Sequence, residues 1–578
     1  MGTEGERKNI VPAGTVRACD DLGRVLPTSK EAGTRRDKRC VGLFYFLWCG
    51  EHSKDLRPLD IEKLLEADPK AGYRPDDPEW GKYSVMHHWG EPLFGYYFSK
   101  DEWVMRRHVE MLTYADIDFL VFDTTNAVTY ESTAKTMLRL LSEYRAMGFN
   151  TPKAMFYTNT ASGKTVQSLY ENIYSKGYMK DSWFCVDGKP LIIAVESECS
   201  PEAREFFTIK MSQWPNEPTK KGGWPWMDFE RPQRVFENLK GEEEIINVSV
   251  AQHPQIHFGD SAMYGETANR GRSYHNGAED KSEGAWKYGY NFQEQWDRAL
   301  ETLPPYVFVT GWNEWIAGRW GGSEGRPMSF VDCADLEYSR DAEPMRGGYF
   351  DNYYMQLIAN VRRYKGTDTA LVQPEIGTDP EGKVTMKLVA ENGAKYDNFP
   401  KGCFSRSCAG YDTFYTDDSG RNAIVSTCAA HDKDDLYFYA KTLAPIERYD
   451  YKSAWMQLYL NVTNISAPGY SKRWKGYNYI ANGHQFTDSR TTLEKCVTDG
   501  SVSLEADTFR PCAVIDFEFA DNELMIRIPK SAVGLGENDA FEIQFKWMDS
   551  RNRVRGMDDF YTTGDAAPIG RLNYVFLG

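Results

Sequence analysis

Residues 306–315 read Y-V-F-V-T-G-W-N-E-W. An apolar run of strand length stops at Gly311, and a single carboxylate, Glu314, then stands between two tryptophans. A short apolar run bounded by glycine predicts a buried strand, and a carboxylate just past its end falls where barrel folds place their chemistry. The same texture recurs upstream. Apolar runs at Val41–Trp48, Phe119–Thr124, Ala154–Thr158, Pro190–Val195 and Ile245–Ala251 alternate with helix-like stretches at Lys100–Ala115, Ser132–Met147, Val166–Ser175, Pro201–Lys210 and Phe292–Leu303. This alternation predicts a parallel sheet, and over residues 41–366 it favours a closed (β/α)₈ TIM barrel with long loops. The rival, an open doubly wound sheet, calls for a Gly-rich phosphate turn after an early strand. Residues 49–56, C-G-E-H-S-K-D-L, supply none.

The flanking regions read differently. Residues 1–40 are polar and irregular and are expected as a lead-in lying on the surface; residues 367–380 are polar, with Pro374 and Pro380, and read as a linker. From 381 to 578 short strands follow one another at Val384–Val389, Ala423–Ala429, Leu436–Lys441, Trp455–Val462, Tyr477–Ile480, Cys512–Phe519, Leu524–Ile528, Phe541–Trp547 and Asn573–Leu577. Many strands with little helix between them predict an antiparallel β-sandwich.

Composition narrows the function classes. The 578-residue chain carries a net charge of −16, which argues against a nucleic-acid partner, since that needs a basic stripe. No apolar run reaches the roughly 18 residues of a membrane span. The start, M-G-T-E-G-E, has no apolar signal core, so it fits either a cytoplasmic start or a trimmed export signal; a periplasmic or cell-surface setting is expected. The 11 cysteines show no zinc-site spacing; Cys403 with Cys408, or Cys496 with Cys512, are the pairs open to bridging. Aromatics make up 14% of residues, which serves either a large core or flat faces for sugar rings.

The strand ends carry the candidate chemistry: Tyr45 and Trp48; Asp123 and Asn126; Asn159; Glu196; His253; and Trp312, Asn313, Glu314 and Trp315, with Arg319 close behind. Polar and aromatic groups thus recur at the same place in successive units. Carboxylates among aromatic walls suit glycosidic cleavage, in which one carboxyl protonates the leaving oxygen and another acts as nucleophile or activates water. Apolar walls also raise a carboxyl pKa enough to keep it protonated near neutrality. The structural alternative is a buried Glu314 paired with Arg319. Loop residues His87, His88, Arg272 and His275 are further candidates for sugar contacts. Adjacent histidines rarely converge on one ion, so no metal or other cofactor is expected.

The W-N-E-W stretch at 312–315 resembles glycoside hydrolase family 99 and its large bacterial relatives, often labelled WbsX-like. The aromatic strand V-G-L-F-Y-F-L-W (41–48) and the downstream E-Y-S-R-D-A-E-P-M (337–345), leading into D-N-Y-Y-M-Q-L (351–357), are similar in kind. The resemblance implies a (β/α)₈ barrel acting on glycans. In the family's endo-acting α-mannosidases the Glu of this motif, here Glu314, is a base on the sugar 2-hydroxyl, and a second Glu three residues on is the acid/base. Here that place holds Ala317. The missing carboxyl then comes from Asp123, Glu196 or Glu337, in that order of preference, or the barrel binds glycan without cleaving it. Neither the anhydro-sugar route nor mannose specificity carries over. A glycosyltransferase is the weakest reading, because no Asp-x-Asp stands at a suitable strand end. Residues 435–442, 455–462 and 474–482 are similar to carbohydrate-binding modules of the family 9 type, which implies sugar held between aromatic faces such as Trp474 and Trp547.

Overall fold

The structure, a computed structural model, describes residues 11–50, 57–266, 268–400, 410–411, 419–449, 452–468, 476–498, 504 and 508–578. It divides into two compact units: Arg35–Gly366 with Gly410 and Tyr411, and the described residues before Arg35 together with the remainder after Gly366.

The first unit is built on nine strands: β1 Cys40–Tyr45, β2 Phe119–Thr124, β3 Lys153–Thr158, β4 Lys189–Ala194, β5 Thr208–Gln213, β6 Gly223–Pro225, β7 Val235–Glu237, β8 Glu243–Ser249 and β9 Tyr306–Thr310. Their order is β7-β8-β9-β1-β2-β3-β4-β5-β6, with Cys185–Val186 pairing alongside β4. Every pairing along the order from β8 to β6 is parallel; β7 with β8 is antiparallel, as is Cys185–Val186 with β4. Helices Glu102–Tyr114, Glu131–Ala146, Ser162–Leu169 and Pro201–Phe206 connect β1 through β5, and Tyr290–Thr302 leads into β9. The Asn247 amide of β8 donates to the carbonyl of Trp226, just past β6, at 2.9 Å. At the two ends of the order the Gly222 N–H, just before β6, donates to the Glu237 carbonyl of β7 at 2.8 Å; the ends thus meet through single hydrogen bonds rather than a paired ladder, and the sheet is barrel-like.

Strand periodicity explains the inside. Phe44, Phe119, Val121, Met155, Tyr157, Leu191, Ile193, Ile245 and Phe308 form one buried cluster, while their neighbours Leu43, Leu120, Phe156 and Ile192 are buried too. Strands covered on both faces read as continuous apolar runs for this reason. Gly42 marks a close approach: a β-carbon there would stand 2.0 Å from the Phe119 ring.

Thr208–Gln213, whose start falls inside the expected 201–210 helix, is instead strand β5; the helix stops at Phe206. The apolar run of 41–48 leaves the sheet after Tyr45.

The second unit is a large antiparallel sheet of twelve strands. Phe438 packs on Phe545 at 5.2 Å and Trp547 donates to the Thr427 hydroxyl at 2.9 Å, although their strands lie far apart in the strand order. The sheet therefore folds back on its own core. Val16–Arg17, from the expected surface lead-in, is a buried edge strand paired with Asn573–Leu577. The expected linker is also tied down: the Gln373 N–H donates to the Leu577 carbonyl and that of Ile376 to His431. Val384–Val389, expected as strand, enters helix Met386–Asn392, whose N-cap Thr385 accepts the Leu388 N–H. Trp547 is fully buried and so presents no face to a ligand, while Trp474, Cys403 and Cys408 lie outside the described residues. Cys496 and Cys512 are free thiols. Among the described residues no helix is long and apolar enough to cross a membrane.

Candidate active site

Past β9 the chain runs between two other segments and bonds to both. On one side the Trp312 N–H donates to the Phe44 carbonyl at 3.0 Å. The Asn313 side chain accepts the Phe46 N–H at 2.8 Å and returns a bond to its carbonyl at 3.0 Å. On the other side the Gly311 N–H meets the Arg340 carbonyl and the Glu343 N–H meets that of Trp312. Two buried carboxylates complete the clasp. Asp341 accepts the backbone N–H of Glu314 at 2.5 Å and the Trp89 indole at 2.8 Å. Glu343 accepts the Trp315 indole at 2.6 Å and the Tyr97 hydroxyl at 2.7 Å. Glu343 also faces His108 Nε2 at 2.8 Å, and the other ring nitrogen faces the Tyr45 hydroxyl at 2.9 Å. A carboxylate only accepts, so Nε2 donates to Glu343; a neutral ring would then accept from the Tyr45 hydroxyl at Nδ1. Trp315 stacks on Trp89, centroids 4.5 Å apart and planes 13° off parallel. Trp312, Asn313 and Trp315 are thus fully buried supports, and Glu314 alone of the four lines a cavity.

That cavity is a cleft of ≈ 560 Å³. Its carboxylates are Glu314, Asp123 and Asp332; its aromatic walls include Phe44, Phe46, Trp48, Tyr130, Trp214, Trp226 and Trp320; His253, Asn126 and Arg340 complete the polar part. Arg340 organises the floor. Its guanidinium donates to Glu314 Oε2 through Nη2 at 2.6 Å and Nε at 3.1 Å, and Nη2 also reaches Asp332 at 3.1 Å. The guanidinium lies over Trp226 at 5.2 Å, and Nη1 stands 3.3 Å from His253. Glu314 Oε1 has no hydrogen bond among the described residues.

Burial sets the protonation of the floor. It pushes the Glu314 carboxyl well above the usual carboxylate range; Arg340 pulls against it, and Asp332 and Asp341 push the same way. Asp123 is raised chiefly by burial, against the Thr125 N–H that it accepts at 3.0 Å. His253 is held down at about 3, first by burial and then by the Arg340 charge, so it faces the cleft as a neutral ring. Both carboxyls are thus raised by burial, Glu314 against a guanidinium in contact and Asp123 against its own turn and a remote Arg340.

Of the residues singled out from sequence, the fold brings Glu314, Asp123, Trp48, Asn126 and His253 together here. The others lie elsewhere. Glu196 is exposed in a short turn, its carbonyl taken by Arg204. Glu337 accepts the N–H and hydroxyl of Ser273 at 2.7 and 2.6 Å. His87 and His88 are buried, with burial lowering them to about 4 and about 3. Asn159 accepts from Ser212. Arg272 is buried against Tyr349 and Tyr353, at 4.6 and 4.4 Å. His275 lies on a small hairpin against Tyr290. Arg319 does not pair with Glu314; it binds the carbonyls of Pro75, Trp80 and Gly81. Ala317 is buried in a short pairing with His87. Arg340 lies inside the quoted 337–345 stretch but has no role assigned to it there; Asp332, Trp226 and Trp320 do not stand out in the sequence. One signal is present there: S-R-D-A-E at 339–343 is dense in charge yet carries no helical period, and in the structure its three charged residues are buried.

No family model matches the chain, and no curated relative matches it. Among solved structures it is similar to the GH99 endo-alpha-mannosidase from Bacteroides thetaiotaomicron, at 15% identity and a TM-score of 0.33, covering 57% of this chain and 97% of that one. A second structure of that enzyme gives the same identity and TM-score, with 98% of its chain covered. A likeness of this size adds no weight to the geometry above.

Proposed function

We propose that this protein is a glycoside hydrolase whose first unit is an eightfold (β/α) barrel and whose cleft cleaves a glycosidic bond in an oligo- or polysaccharide. The observation that carries the reading is the convergence of Asp123, Glu314 and Asp332 in one aromatic-walled cleft. Asp123, whose carboxyl burial raises and which has no cation in contact among the described residues, serves as general acid. Glu314, also raised by burial, is paired with Arg340, whose charge favours its ionised form, and with Oε1 open it serves as base or nucleophile. Tryptophan faces seat the sugar rings between them. A panel of neutral, amino and uronic oligosaccharides incubated with the protein, with products read by mass spectrometry, tests this. New reducing ends from at least one member are expected; no product from any member ends the reading.

A second reading, a glycan-binding barrel without turnover, rests on the neutralisation of Glu314 by Arg340 and on the buried Ala317 at the place of the second family carboxyl. It predicts tight binding of a panel member with no product on prolonged incubation.

A further inference from the structure

The cleft continues outward onto a tract of exposed rings. Trp320 is 50% exposed, Tyr83 45% and Tyr73 52%. Trp320 opens the hairpin of Trp320–Ser323 and Arg326–Ser329 and lines the cleft. Tyr83 comes next to it: its ring edge lies 3.9 Å from where a β-carbon on Gly321 would stand. Tyr73 meets Tyr264 edge-on at 5.2 Å, and the Tyr264 hydroxyl lies 3.1 Å from the Gly72 carbonyl and 3.0 Å from that of Met328 in the same hairpin.

These rings are fixed from beneath. The Arg319 guanidinium, tied to its carbonyls, lies 4.4 Å from the centre of the Tyr83 ring. The Trp320 indole rests against Gly318, where a β-carbon would come within 3.0 Å of Nε1. A single exposed aromatic calls for no explanation. Here the described exposed tyrosines and tryptophans of this unit are Tyr73, Tyr83, Tyr288 and Trp320, and all but Tyr288 fall in this one tract. Rigid rings lose little conformational entropy when they take a ligand, and their apolar body with a polar tip matches a pyranose, which is itself apolar on its C–H faces and polar at its edge.

We propose that Trp320, Tyr83 and Tyr73 form an outer platform that holds the sugar units of a linear oligosaccharide projecting from the cleft. The proposal rests on the carbohydrate reading of the cleft and deepens it: the ligand is a chain of several units, engaged along its length, rather than a disaccharide.

The test uses length series of gluco-, manno- and xylo-configured oligosaccharides, from disaccharide to octasaccharide. Affinity is measured for the unaltered protein, for Y73A/Y83A and for Y73F/Y83F. Hydroxyl-radical footprinting of the unaltered protein reads Tyr73 and Tyr83 directly, whether or not the variants fold. For the series that binds, affinity is expected to rise about tenfold from short to long. That gain should vanish in the Ala pair and persist in the Phe pair, and the octasaccharide alone should protect both tyrosines. An octasaccharide that is bound or cleaved while both tyrosines stay fully reactive overturns the platform and leaves the hydrolase reading standing. Protection without any product upholds the platform and removes the hydrolase reading. Failure of every series to bind overturns both.

Discussion

Two segments at the same rim, 123–126 at the end of β2 and 311–315 after β9, each present one carboxylate to the cleft, and they hold it by different means. Asp123 is fixed within its own turn, by the N–H of Thr125 two residues on. Glu314 is fixed from afar: Phe44 and Phe46 pair its flanks, Asp341 takes its backbone N–H, and Arg340 takes its side chain. A locally held group tolerates change around it. A group held by distant segments ties its own charge to the integrity of the core. The two positions should therefore separate activity from stability in different ways.

The largest effect is expected from Glu314→Gln, which keeps the shape and an acceptor for Arg340 but removes the charge. Turnover on the best panel member should fall by about 10³-fold, roughly 4 kcal/mol of barrier, and the unfolding midpoint should also fall, because the buried Arg340 keeps only Asp332 as a charged partner. Unchanged turnover would break the comparison, since Glu314 would then be structural only.

Arg340→Met comes next and acts chiefly on stability. Removing one partner of a buried pair leaves the other charge uncompensated, which costs about 3–5 kcal/mol. Denaturant unfolding measures it. A loss near zero would show that Asp332 and solvent, not Arg340, settle the Glu314 side chain.

Asp123→Asn should lower turnover by about 10²-fold while changing stability by no more than about 1 kcal/mol. The local hold is the reason: among the described residues the donors to Asp123 come from Thr125, and an amide oxygen accepts its N–H as a carboxylate does. A stability loss matching that of Arg340→Met would erase the distinction between local and distant holding.

Much of this contrast is legible in the amino-acid sequence, and the part that is not has a common cause. β1, β2, β3, β8 and β9 are buried on both faces, so they show as unbroken apolar runs, and the carboxylates at two of their ends follow directly. β5 is hidden because Phe207 alone separates it from the preceding helix. β6 has only three residues, too few to show a period. For the site, the sequence marks the groups that end strands and gives no role to Asp332 and Arg340, which the irregular 330–343 stretch delivers. Arg319, five positions from Glu314, is the natural partner along the chain; Arg340, 26 positions away, is the partner in space. Periodicity carries no information about which long loop folds back over which strand end. The tryptophans beside Glu314 show the same limit: aromatic type marks the region, but only the fold shows that Trp312 and Trp315 are buried supports while Trp226 and Trp320 are walls.

The smallest expected effect concerns Asp341, the buried acceptor that joins the Glu314 backbone to Trp89. Two forces compete on it. Its two N–H donors favour the ionised form, while burial favours the neutral one and prevails, raising the carboxyl from 3.8 to about 7. Because the folded value lies above the unfolded one, the stability linked to this group is fully present below about pH 4 and is lost as pH rises through 7. Asp341→Asn removes that titration and sets an amide N–H₂ against one of the two donors, a loss of about 1–3 kcal/mol. The penalty should therefore be largest near pH 4 and shrink by pH 8, as read from paired denaturation curves. A penalty that instead grows with pH would mean that the donors hold a charged Asp341. Glu314 would then face one more fixed negative charge behind the cleft, and its own carboxyl would be raised further than burial alone requires.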